Sequence, residues 1–153
     1  MASTITSGTV TVSITETVSL NSTAYDAINT LTIANINEVS QRIITIPGQT
    51  VTELLEFAAG PGRGRFVSSN IQYIRITNLD DANSLAINTQ SSASNNFQLV
   101  TPGRSWMIGS VDASMMATGS TVLPAYTGQD IEKIYFWGTE VPSVDIEFFI
   151  ALT

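Results

Sequence analysis

Thirteen carboxylates, five arginines and one lysine, Lys133, are the strongly ionisable side chains this chain of 153 residues can bring to chemistry, because it has no histidine and no cysteine. Without imidazole there is no general base poised near neutral pH, and without thiolate or imidazole no N/S set can hold zinc. A serine or threonine nucleophile would lack its usual activator, and a Ser-Lys dyad could use only Lys133, which lies in the alternating segment EKIYFW. Lys133 reads better as a strand-surface lysine.

Paired carboxylates could still serve glycoside hydrolysis. The pairs are Glu53 with Glu56, Asp80 with Asp81, Asp130 with Glu132, and Asp145 with Glu147. Asp145 and Glu147 would share one strand face about 6–7 Å apart, a spacing any Asp-x-Glu strand would have. Solvated strand faces explain all four. The turn Asn78-Leu79-Asp80-Asp81-Ala82-Asn83 gathers oxygens that suit calcium. It lacks the DxDxDG order and a distant bidentate glutamate, so an Asx-rich turn is the simpler reading. No catalytic, cofactor-binding or metal-ligating residue is therefore assigned.

Two further groups concern binding. The segment Gly60 to Arg65, GPGRGR, has the glycine density of a phosphate loop but no GK[ST] ending and no following helix pattern. Ala58 to Arg65 as a whole is expected to be an exposed, mobile loop whose Arg63 and Arg65 contact an acidic partner surface. Trp106, Tyr126, Tyr135, Phe136 and Trp137 could stack sugars, although aromatics in strands are more often core or interface material.

The elements that would position these groups are strands. Thr9, Thr11, Ser13 and Thr15 alternate with Val10, Val12 and Ile14, which is the period of a half-buried strand. Val18 and Leu20 extend the apolar set to the turn-like Asn21-Ser22. Ala27 to Ile36 reads as a bulged strand, and Arg42 to Ile46 as a compact one closed by Pro47-Gly48. Leu54 breaks the alternation of Val51, Leu55 and Phe57. Ile74 and Ile76 alternate with Tyr73 and Arg75, and Leu85 and Ile87 form a short strand opposite. Thr89 to Asn96 reads as a polar loop, and residues 110–129, with Met115 and Met116, as the least regular stretch. Ile131 to Trp137 and Val144 to Leu152 complete the set. In the last, Val144, Ile146, Phe148, Ile150 and Leu152 share one face.

Roughly eight to ten short strands without an amphipathic helix predict an all-β, antiparallel, jelly-roll-like sandwich. The expected organisation is an extended N-terminal arm at residues 1–8 and one β-sandwich domain at 9–153. A length near 150 suffices for a core without staples. Only 12% of residues are charged, about half the usual share, so Thr, Ser, Asn and Gln must cover the surface. That cover suits a protein packed against other protein. A net charge of −7 disfavours nucleic acid and anionic membranes as partners. The opening residues lack a basic region and a long apolar run, so a secretory leader is not expected, and no stretch has the length of a membrane span.

The runs Tyr73-Ile-Arg-Ile-Thr-Asn-Leu-Asp, Asn83-Ser-Leu-Ala-Ile-Asn-Thr and Phe97-Gln-Leu-Val-Thr-Pro-Gly-Arg-Ser-Trp carry a resemblance. In that order they resemble β-sandwich virion proteins of tailed bacteriophages, most of all capsid decoration (cement) proteins. The resemblance covers residues 70–110 directly. It reaches the rest through length, missing Cys and His, a Ser/Thr-rich arm and all-β patterning. It implies a non-enzymatic protein, made in the host cytoplasm and located in the virion, that binds the major capsid protein and stabilises the head. It also implies a homo-oligomer, a trimer above all, with no cofactor, no nucleic acid and no membrane. A tail, fibre or baseplate component, or a carbohydrate-binding module, is the alternative expectation.

Overall fold

The structure, a computed structural model, describes residues 6–112, 115 and 128–153. Among them are eleven strands, one short 3-10 turn at Ser68–Asn70 and no α-helix. The strands are β1 (Gly8–Leu20), β2 (Thr23–Ile36), β3 (Glu38–Ile46), β4 (Thr52–Ala58), β5 (Arg65–Val67) and β6 (Ile71–Asn78). They continue with β7 (Leu85–Gln90), β8 (Asn95–Val100), β9 (Ser105–Ile108), β10 (Lys133–Gly138) and β11 (Val144–Leu152). The chain is all-β, as the alternating β-branched residues predict.

Three sheets result. β1 and β2 form a two-stranded ribbon, β5-β4-β10-β7-β8 a five-stranded sheet, and β3-β11-β6-β9 a four-stranded sheet. The two larger sheets share one buried cluster, to which Leu55, Leu85, Ile87, Ile134 and Phe136 come from the first and Ile46, Ile74, Ile76, Ile146 and Ile150 from the second. The period of two does this directly. In β11, Val144, Ile146, Phe148, Ile150 and Leu152 are all buried, while Asp145, Glu147 and Phe149 face outward. Leu54 stands at a register irregularity of β4 against β10 and packs, half-buried, on the core, which accounts for its break in the pattern.

Two expectations need correction. β7 does not lie opposite β6: β6 pairs with β11 and β9, whereas β7 pairs with β10 and β8. The turn after β6 therefore crosses between sheets, and the segment from β8 to β9 crosses back. Asn78 sits fully buried where the crossings meet. Its Nδ2 donates to the carbonyls of Asn83 (2.9 Å) and Val100 (3.0 Å), and its Oδ1 accepts from the Asp80 N–H (3.0 Å). Its backbone N–H and carbonyl pair with Arg104 and Gly103. A buried amide with this many partners fixes both crossings at one point. The polar loop expected at 89–96 is also shorter, because Thr89 and Gln90 pair with Asn96 and Asn95. Only residues 91–94 remain as a turn, organised by Ser91, whose Oγ donates to Gln129 Oε1 (2.7 Å). Most of 110–129 lies outside the described residues, Met116 included. Met115 is buried and pairs with Gln129 through two backbone bonds.

Candidate interaction surface

Among the described residues, the ribbon carries six exposed large apolar side chains: Ile14, Val18, Leu20, Tyr25, Ile28 and Leu31. Its register places Val10, Val12, Ile14, Glu16, Val18 and Leu20 opposite Ile33, Leu31, Asn29, Ala27, Tyr25 and Thr23. Side chains of directly opposed residues share a face, so this one is apolar apart from Glu16, Asn29 and Thr23. The other face carries Thr11, Ser13, Thr15, Thr17 and Ser19 against Thr32, Thr30, Ile28, Asp26 and Ala24. Asn21 and Ser22 close it with φ of 51° and 66°, both left-handed, as a two-residue primed turn requires. The register shifts between Gly8 and Val10, and Asn35 (φ 61°) lies in the extra length of β2, so the predicted bulge is present.

Only the base of the ribbon is held. Ile36, Tyr73 and Ala151 form a second small buried cluster, with Val10, Val12, Ile33 and Phe149 packed on it. It sits on the outer face of the four-stranded sheet, opposite the main core, and the Asn37 N–H anchors to the Leu152 carbonyl (2.8 Å). Beyond that point the apolar face continues uncovered: Ile14, Val18, Leu20, Tyr25 and Leu31 are between 45% and 60% exposed. A groove of about 450 Å³ runs under the ribbon, with Val12 and Ile14 on one wall and Tyr73, Arg75, Ser105, Met107 and Phe149 on the other.

The floor of this region is a polar ladder across the sheet. Gln41 Nε2 donates to Glu147 Oε1 (2.5 Å), and Arg75 Nη2 donates to Glu147 Oε2 (2.6 Å). Arg75 Nη1 then donates to Thr77 Oγ1 (2.7 Å), which lies 2.8 Å from Ser105 Oγ. The hydrogen bonds from Gln41 and Arg75 hold the Glu147 carboxyl below its ordinary pKa. Burial raises the Tyr73 hydroxyl pKa, partly offset by Arg75.

The groups that the sequence put forward are dispersed among structural partners. Arg63 is exposed in the segment 59–64, before Gly64 with its φ of 78°. Arg65 opens β5, directly opposite Glu56, and its Nε lies 2.9 Å from that carboxylate. Lys133 Nζ is 3.0 Å from Glu53, a contact that raises the lysine pKa, so Glu53 and Glu56 take different cations. Asp145 accepts from Thr45 Oγ1 (2.6 Å), and Glu147 belongs to the ladder. Asp80 Oδ1 accepts the N–H groups of Asn83 and Ala82, which lower its pKa and make the segment an Asx turn. Among the described residues no three Asp or Glu side chains gather as a metal ligand set.

The aromatic candidates are divided likewise. Phe136 is in the core, and Trp106 packs against it from the other sheet. Tyr135 and Trp137 alternate with core residues on β10, and Trp137 meets Phe97 edge-on at 6.0 Å. Tyr126 lies outside the described residues. Tyr135, Trp137 and Phe97 thus share the outer face of the five-stranded sheet, apart from Phe136 and Trp106. The ribbon was half visible in the sequence, since the alternation and the Asn21-Ser22 turn were there, but its lack of cover was not. No family model, curated protein or solved structure matches this chain.

Proposed function

We propose that this chain is a non-enzymatic virion structural protein that binds the major capsid protein lattice of a phage head and stabilises it. The observation that carries the reading is the ribbon, whose apolar face stays exposed beyond the small cluster at its base. A two-stranded hairpin is marginal in water by itself, so a ribbon of this length suits completion by other protein. The low charge and Thr/Ser/Asn cover support the same reading.

Taken in chain order, β3, β4, β6, β7, β8, β9, β10 and β11 visit the sheets in the sequence of a jelly roll, with β5 added beside β4. Jelly rolls recur in capsid and lectin domains, so this order favours a virion or a carbohydrate-binding role over others by analogy alone. The exposed apolar face of the ribbon tips the choice toward a protein-binding role in the virion. Capsid contacts repeated over a lattice supply avidity that weak individual contacts lack.

The test is to mix the purified chain with undecorated phage heads and follow co-sedimentation and head stability to heat. Saturable binding with a raised disruption temperature is the expected result. A chain that ignores heads but binds tails, or is retained on a glycan column, overturns the assignment.

A further inference from the structure

We propose that the uncovered apolar face of the β1–β2 ribbon is a homotypic docking surface, covered in solution by the same face of a second copy of this chain. The inference rests on the ribbon as a contact element and does not depend on the capsid.

Area is the first argument. Ile14, Val18, Leu20, Tyr25 and Leu31 together leave on the order of 500 Å² of side-chain surface uncovered, comparable to the largest apolar patch of a typical monomer. Two such faces in contact bury about 1,000 Å², the threshold at which specific interfaces begin. Ile14 and Leu31 also line a second hollow with Tyr73 and Met107, so a partner side chain entering there would cover Met107 as well.

Continuity is the second argument. At the base, Val10, Val12 and Ile33 already pack on Tyr73 and Phe149. The same face simply runs on, so one surface is covered by its own body at one end and by a copy at the other. Covering the distal part supplies the second layer that an isolated hairpin lacks.

Charge separates a copy from a cationic partner. Gly8 to Ile36 contains Glu16 and Asp26 and no cation, and Glu16 alone lies on the apolar face. Copies of a chain with net charge −7 repel one another at long range. Their association is therefore expected to tighten as salt rises, whereas docking to a basic partner would loosen. Removing the Glu16 charge should act in the same direction as salt.

The experiment is sedimentation equilibrium of the full chain and its variants over a range of concentration and salt. The wild type is expected to be a concentration-dependent oligomer. Val18→Asp with Leu31→Asp should raise its dissociation constant roughly tenfold or more. The milder Val18→Ser with Leu31→Ser should shift it the same way, and Glu16→Gln should lower it severalfold. Thermal unfolding of the body should be unchanged in all three. Ile43→Asp, on the exposed outer side of β3 and 68% exposed in the wild type, should have no effect. A wild type that stays monomeric, ribbon variants that associate normally, or association broken by Ile43→Asp would each overturn the proposal. A chain that oligomerises through the ribbon but ignores phage heads supports the docking surface and defeats the virion reading. A chain that binds heads as a monomer does the reverse.

Discussion

The ribbon and the two-sheet body are written in the same alphabet, alternating Val and Ile with Thr, Ser and Asn, yet they end in opposite environments. In β11 the apolar alternates are buried to within a few per cent of complete exclusion, and in β6 Ile74 and Ile76 are fully excluded from solvent. In β1, Ile14 and Val18 follow the same period and remain about half exposed. Alternation decides that a segment is a strand and which residues share a face. Burial is decided by whether a second layer arrives, and that is a property of long-range topology or of another chain.

This contrast sets the size of the mutational effects. Truncating Phe136, which is fully buried between the sheets, should cost about 4 kcal/mol in urea-unfolding stability, through lost transfer energy and the cavity left behind. Asn78→Ala comes next, at about 2 kcal/mol, because it strips the three hydrogen bonds of a buried side-chain amide from the meeting point of both crossings. If that variant unfolds like wild type, the corner is not held as described.

Glu147 tests the outer face, midway between core and ribbon. Its pKa is lowered in the folded chain, so the unfolded state takes up protons first as pH falls. Its contribution is complete above the unfolded pKa and disappears as pH drops through the folded one. Glu147→Gln should cost about 1 kcal/mol at pH 7 and flatten the acid limb of stability against pH. An unchanged acid limb would mean the ladder with Gln41 and Arg75 does not persist in solution.

The ribbon turn should give the smallest change. Ser22 adopts φ of 66°, which glycine tolerates at lower cost. Ser22→Gly should stabilise the ribbon by about 0.5 kcal/mol, read as slower amide exchange near the tip, with the body's unfolding midpoint unmoved. A shift of the body's midpoint would show that the two regions unfold as one unit.

Much of the local structure could be read from the residues alone. The β11 face, the Ile74/Ile76 alternation, the Asn21-Ser22 turn, the bulge in β2 and the Asx turn after Asn78 all follow from side-chain period or turn chemistry. What could not be read was non-local. The Tyr73–Asn78 and Leu85–Gln90 strands look like a hairpin in sequence, and only pairing with β11 and β10 assigns them to different sheets. Arg65 looks like a loop cation until β5 lies beside β4 and presents Glu56. The exposed ribbon was invisible for the same reason, since its pattern is that of any half-buried strand. Arg63 stays exposed as expected, while Arg65 pairs with Glu56.

We propose above that another copy completes the uncovered distal face of the ribbon. Amide hydrogen exchange of residues 13–30, followed at low and at high chain concentration, tests it most directly. The distal ribbon should exchange rapidly in dilute solution and become strongly protected on concentration, while β6, β7, β10 and β11 stay protected throughout. Equal ribbon protection at both concentrations, at a level matching the body strands, would contradict it.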